Sequence, residues 1–185
     1  SIHLAEAVKE FNPMFYEDPI QIDSIMSQGE IAKRVSIPVA NGERMHSIWE
    51  FRELLSHGGP QYVRPDIGLA GGFTQTKKIA SIAESYHSAL IMHNFLGPIL
   101  TSASVHLDVN IPNFLTQEYT LNDESEKYNF IESNLKRNKG YMLLPEEPGL
   151  GVSINKDMIK KVPYEPLDLN KQVPYRDDGS IAFSV

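Results

Sequence analysis

Five ionisable side chains stand at the ends of short apolar runs. Glu17 follows Met14-Phe15-Tyr16, Glu43 follows Ile37 to Ala40 and Asn41-Gly42, Asp66 follows Tyr62 to Pro65, His93 follows Ala89 to Met92, and Glu118 follows Phe114 to Gln117. Their successive intervals are 26, 23, 27 and 25 residues. Glutamates on neighbouring strands suit a hard divalent cation such as Mg²⁺, which takes oxygen ligands in an octahedron and keeps waters or substrate oxygens in the remaining positions. An aspartate one strand before a histidine can hold the imidazole in one orientation and tautomer and favour its protonated form, which tunes it as a general base. A cation, a basic histidine and a further acid together fit removal of a proton next to a carboxylate, with the metal stabilising the ene-diolate.

Something must aim these groups at one place. Runs of three to five apolar or β-branched residues read as buried strands, and segments of helical period lie between them. In the segment from Gly71 to Tyr86, Ile79, Ile82, Ala83 and Tyr86 fall at i, i+3, i+4 and i+7, with Lys77, Lys78, Ser81, Glu84 and Ser85 off the stripe. Similar stretches run from about Asp23 to Lys33, from Ser47 to His57 and from Gly97 to Val109. Strand, loop and helix repeating at this interval predict a parallel βα architecture in five units. In such folds, and above all in the (β/α)8 barrel, chemistry sits at the C-terminal ends of the strands, where neighbouring loops converge. That is where all five ionisable residues are expected.

Composition narrows the possible partners. The chain has 185 residues, 41% of them hydrophobic, with 17 Lys and Arg against 24 Asp and Glu for a net charge of -7. That is enough apolar material for a real core. The acid excess argues against nucleic acid or an anionic membrane as partner, because both require a concentrated basic face. The basic doublets Lys33-Arg34, Lys77-Lys78, Lys136-Arg137 and Lys160-Lys161 read as solvated faces. With no cysteine, thiol catalysis, thiolate metal sites and disulfides are excluded. No apolar run approaches the roughly 18 residues of a membrane span, and the first residues lack the plan of a signal peptide. A cytoplasmic chain is expected.

The strand-end motifs taken together resemble the enolase superfamily, in particular its mandelate racemase/muconate lactonizing enzyme-like sugar-acid dehydratases. Phe15-Tyr16-Glu17-Asp18-Pro19 is similar to the metal motif of the fourth barrel strand and Ala40-Asn41-Gly42-Glu43-Arg44-Met45 to that of the fifth. Arg64-Pro65-Asp66 with Ala70-Gly71-Gly72 resembles the sixth strand, Met92-His93-Asn94 with Leu96-Gly97-Pro98-Ile99 the seventh, and Asn113 to Glu118 the eighth. The resemblance implies an α/β fold: strands four to eight of a TIM-type barrel over residues 1–118, with an irregular C-terminal extension over 119–185. It implies Glu17 and Glu43 as Mg²⁺ ligands, Asp66 and His93 as a base dyad, and Glu118 beside the substrate carboxylate or its developing enolate. The implied activity is dehydration of a sugar acid to a 2-keto-3-deoxy acid, in a homo-oligomeric enzyme whose partner is a small molecule. Asp66/His93 and Leu96-Gly97-Pro98-Ile99 are most similar to galactonate dehydratases. His46-Ser47-Ile48-Trp49 and the tail, from Gly140-Tyr141-Met142 through Pro148 to Val152 and Val162-Pro163-Tyr164 to Asp177-Asp178-Gly179, look more like mannonate or gluconate dehydratases.

At 185 residues the chain falls short of the roughly 250 of a complete barrel. The resemblance therefore implies the back portion of a larger enzyme. A capping domain, three strands, a third metal carboxylate and a general-acid histidine would lie elsewhere. Before the fourth strand, Leu4, Ala7, Val8 and Phe11 suit the end of a preceding helix. Residues 119–185 hold 20 of the 41 charged residues and five of the 12 prolines, which marks them as an extension rather than a second enzyme domain. His3, His57, His87 and His106 read as terminal, helix-end or packing residues. His46 is expected in a loop facing the pocket, Asn94 and Tyr119 are weaker pocket candidates, and Trp49 is expected in the core. Two alternatives stay open: an epimerase or lactone cycloisomerase of the same superfamily, and a non-catalytic half-barrel acting as an interaction module.

Overall fold

Each apolar run becomes one short strand of a single parallel sheet. In a computed structural model, which describes residues 1–21, 24–161, 164, 166 and 174–182, the strands are β1 (Tyr16–Glu17), β2 (Val39–Asn41), β3 (Tyr62–Val63), β4 (Ala89–Met92) and β5 (Phe114–Gln117). They lie side by side in chain order. The register pairs Glu17 with Ala40, Asn41 with Val63, Val63 with Leu90 and Met92 with Gln117. Beyond the regular ladder, a parallel bridge joins Asp66 to His93, so these two residues stand beside each other at the strand ends.

The helices sit where the 3.6-residue period places them. Preceding β1 are α1 (Ile2–Val8) and a 3-10 turn over Lys9–Phe11. Between the strands lie α2 (Ile25–Arg34), α3 (Ile48–Ser56) and α4 (Gly72–Ser85), followed by α5 (Pro98–Asp108) between β4 and β5. Ser24 caps α2 by accepting the Ser27 amide. At α3, Ser47 accepts the Glu50 amide while the Glu50 carboxylate receives the Ser47 hydroxyl and the His46 amide, a reciprocal arrangement that fixes the first turn. Pro98 occupies the first turn of α5, where no amide hydrogen is needed.

The core forms between these helices and the sheet, around Phe51, Leu54, Ile79, Ala83, Leu90 and Met92. Two expectations about its membership need correction. Trp49 is 64% exposed, and Phe51, two residues on and about 200° around the helix, is the buried aromatic. Tyr86 becomes the C-cap of α4 and is exposed, leaving Ile79 and Ala83 as the fully buried part of that stripe. In the N-terminal segment Ala5 is buried, whereas Leu4 and Phe11 are exposed.

Past Glu118 the βα repeat gives way to short antiparallel ladders. Strand β6 (Ile131–Ser133) pairs with β9 (Val152–Ile154), and β7 (Lys136–Asn138) pairs with β8 (Tyr141–Leu143). A single helical turn, α6 (Lys156–Ile159), follows and is capped by Asn155. This segment packs over α5: Asp123 and the Leu150 carbonyl accept from Thr101 and Ser102, and Tyr128 lies so close to Gly97 that a Cβ there would stand 2.6 Å from its ring. The Asp177-Asp178-Gly179 signal forms a turn closed by a bridge between Tyr175 and Ile181. Val162 and Pro163 lie outside the described residues.

Candidate active site at the strand ends

The strand ends converge, and a buried dyad sits at their centre. Asp66 is fully buried and its Oδ2 lies 2.8 Å from His93 Nδ1. The other carboxylate oxygen, Oδ1, accepts the amides of Gly68 and Leu69 at 2.7 and 3.0 Å, a local turn that locks the Asp66 rotamer. Burial works against the charge on Asp66. The hydrogen bonds from His93, Leu69 and Gly68 outweigh it and hold the carboxyl below its ordinary value. An ionised acceptor on Nδ1 requires that nitrogen to carry the proton, so Nε2 is the face offered outward. Nε2 points toward Glu43, 3.8 Å from its Oε2. Burial lowers the proton affinity of His93, but the Asp66 hydrogen bond and the charges of Glu43, Glu118 and Asp66 together raise its pKa above the ordinary value. Phe95 meets the ring edge-on at 5.3 Å and walls one side.

The three glutamates gather round a residue that sequence reasoning passed over. Arg64, 3% exposed, lies two positions before Asp66. One of its Nη atoms donates to Glu118 Oε2 at 3.0 Å and lies 3.8 Å from Glu43 Oε2, while Nε is 2.6 Å from Glu17 Oε1. A buried guanidinium needs anionic partners, so an arginine at a strand end among acids was the available signal. Glu118 is fixed further by the Asn94 amide, which donates to the same oxygen at 2.9 Å. The Asn94 side chain in turn bonds the Glu118 carbonyl and Thr101. Asn94 therefore orients Glu118. Burial raises the Glu17 pKa, with Arg64 opposing and the carboxylates of Glu43, Glu118 and Asp18 adding to the shift. Asp18, also unforeseen, is raised by burial and accepts from the buried Asn41 amide.

Among the described residues, His46 and Tyr119 make no side-chain hydrogen bond or ion pair with the dyad or the three glutamates. The His46 side chain is exposed, and its backbone amide serves the α3 cap. Tyr119 donates to Glu124 beneath the Arg137 guanidinium, and burial, with Glu124 beside it, pushes its hydroxyl up to about 12.

Glu17 and Glu43 bring two hard oxygen donors to adjacent strand ends, and both are drawn to the same guanidinium. That donor set fits a divalent cation as two of its ligands. Among the described residues no group of three or more His, Asp or Glu could hold one alone. Nor is any helix among the described residues long and apolar enough to cross a membrane.

A parallel βα sheet with a helix between successive strands and acids and a His-Asp pair at its strand ends has the layout of part of a TIM-type barrel. The chain belongs to the enolase C-terminal domain-like family, whose model matches residues 1–158. It is 35% identical to a D-galactonate dehydratase of Xanthomonas oryzae pv. oryzae over 97% of its own length, which is 48% of that protein. Its identity to the D-galactonate dehydratase of Ralstonia nicotianae is 34%, with the same coverage. The chain thus spans about half the length of the curated relatives it matches. Among solved structures, the mandelate racemase/muconate lactonizing enzyme of Jannaschia sp. CCS1 is 34% identical, with a TM-score of 0.82 over 90% of this chain and 42% of that one. An enolase of Agrobacterium radiobacter, solved with sodium and L-malate bound, superposes with a TM-score of 0.84 at 28% identity, over 99% of this chain and 49% of that one. The five-stranded sheet is accordingly part of a C-terminal barrel domain, as the strand-end motifs predict.

Proposed function

We propose that this chain supplies the base side of a Mg²⁺-dependent sugar-acid dehydratase of the galactonate dehydratase type, acting within a longer protein. The observation that carries this reading is the Asp66–His93 dyad, with Nδ1 committed to Asp66 and Nε2 directed to the open strand ends beside Glu43. Neutral His93 Nε2 takes the proton α to the substrate carboxylate. The C–H electron pair becomes the enediolate, the β C–O bond breaks, and the hydroxyl leaves as water once a general acid has protonated it. The resulting enol tautomerises to the 2-keto-3-deoxy acid. Asp66 keeps the imidazole in the productive tautomer and balances the imidazolium that forms. Glu17 and Glu43 would hold the cation, which when bound offsets negative charge developing on the substrate carboxylate. Glu118, held by Arg64 and Asn94, lines the same mouth. On this reading the general acid is supplied from elsewhere in that longer protein.

The test is a screen of six-carbon aldonic acids, galactonate, mannonate and gluconate among them, for 2-keto-3-deoxy products, run with the full-length protein and Mg²⁺. A 2-keto-3-deoxy product from one of them is expected. Stereochemical inversion without loss of water would instead assign the protein to the epimerases, and no turnover with any acid would overturn the reading.

A further inference from the structure

The way Arg64 meets its three carboxylates is uneven. Its contact with Glu118 is an aligned hydrogen bond at 3.0 Å. Its contact with Glu17 is close, 2.6 Å, yet among the described residues the Nε–H is aimed at no acceptor and Nε is a buried polar atom without a hydrogen-bond partner. Glu17 is thus held by charge alone, while Glu118 is held by charge and direction. Access differs in the same sense. The guanidinium side chain is 4% exposed, whereas those of Glu17, Glu43 and Glu118 are 42%, 23% and 33% exposed. The positive charge approaches the carboxylates from the protein side, leaving their solvent side open.

From this we infer that Arg64 is a positioning residue that acts as an internal counter-cation, one from which an incoming divalent ion must win Glu17. Arg64 keeps Glu118 in place throughout, and in the cation-free protein it also neutralises Glu17 and part of Glu43. A divalent ion binding Glu17 and Glu43 from the solvent side replaces the undirected Arg64–Glu17 contact and leaves the directed Arg64–Glu118 bond intact. The arginine therefore weakens cation binding, because its charge both competes for Glu17 and repels the ion, and in exchange it prevents three like charges from splaying the strand ends when the cation is gone. This inference rests on the assignment of Glu17 and Glu43 as cation ligands under the proposed function.

The test is direct binding of Mn²⁺ to the full-length protein, followed by electron paramagnetic resonance of free Mn²⁺, with no substrate present. Arg64→Met is expected to bind Mn²⁺ more tightly than wild type by about tenfold or more, the scale on which one nearby charge perturbs a carboxylate. Arg64→Lys, which retains the charge, should bind within a few-fold of wild type. A merely structural arginine would give the opposite sign, since loosening the strand ends weakens binding. Glu118→Gln provides a second route should Arg64→Met fail to fold. It leaves the guanidinium with fewer anions to share it, so Mn²⁺ affinity should fall. Unchanged or weaker binding in folded Arg64→Met, or unchanged affinity in Glu118→Gln, overturns the inference. Equal Mn²⁺ affinity in a protein that still dehydrates a sugar acid sinks the role of Arg64 alone. No Mn²⁺ bound by wild type or variants removes the cation assignment as well.

Discussion

At the scale of single residues, the site turns on which groups are charged together. Asp66 has its pKa depressed, so it adds stability that is present above its ordinary value of 3.8 and is lost as pH falls through the lower folded value. His93 has its pKa raised, so its contribution is complete below 6.5 and is lost as pH rises through the higher folded value. The pair therefore stabilises the fold most between these limits. In chemical unfolding measured across that range, Asp66→Asn should cost most near pH 5 and least at the extremes, and a pH-independent loss would mean that the dyad is not ionised. Catalysis makes a separate demand, because His93 must be neutral to accept a proton. In the full-length protein His93→Ala should slow α-proton exchange in D2O by roughly 10² to 10⁴, the scale of a general base. Near-normal exchange followed by proton NMR would assign the base to another residue. Asp66 and His93 were legible in the sequence because their types and one-strand separation already define a dyad. Arg64 was less legible: its place at a strand end among acids was a signal, but a strand-end arginine is ordinarily solvated, and only its burial among Glu17, Glu43 and Glu118 in the fold identifies its partners.

At the scale of elements, α5 carries a liability that its sequence hides. Asp108 closes this helix and is 6% exposed, and its Oδ1 is buried without a hydrogen-bond partner among the described residues. A negative charge at a helix C-terminus also opposes the helix dipole. Burial pushes its pKa up to about 8. The unfolded carboxyl ionises near 3.8, so between that value and about 8 the unfolded state releases a proton that the native state retains, and stability falls as pH rises. Asp108→Asn should therefore raise the thermal midpoint clearly at pH 8, with the gain shrinking toward zero near pH 4. A gain that persisted unchanged at pH 4 would show that charge is not the cause. The helices themselves were well foreseen, since the apolar period that marks them is local. Trp49 was misplaced because the period marks a stripe without stating which large residue lies at its centre. The ladders of 131–154 escaped notice because their three-residue strands are mostly exposed and lie in a charged, proline-containing segment, where alternation is too brief to stand out.

At the scale of the whole molecule, the five strands form an open sheet whose outer members are β1 and β5. A barrel strand has a neighbour on each side, and here the outer side of β1 and that of β5 carry no paired strand among the described residues. The two edges are not equivalent. Beside β5, Phe114 and Leu115 face a cavity of about 480 Å³ whose far wall is Tyr141, Met142 and Leu144 of the β8 segment, so the tail partly screens that edge without pairing to it. Phe114 and Leu115 nonetheless remain 37% and 41% exposed. Unpaired edges with apolar side chains recruit other strands. The 185-residue chain in isolation is therefore expected to self-associate through β5, with a sedimentation coefficient that rises with concentration. Leu115→Lys, which places a charge on that edge, should suppress the association while leaving the Asp66–His93 dyad untouched. A concentration-independent monomer before substitution would mean that the tail screens β5 completely. Association that survives Leu115→Lys would locate the contact elsewhere, and β1, which offers only Tyr16 and Glu17 to a partner, would then be the edge to block.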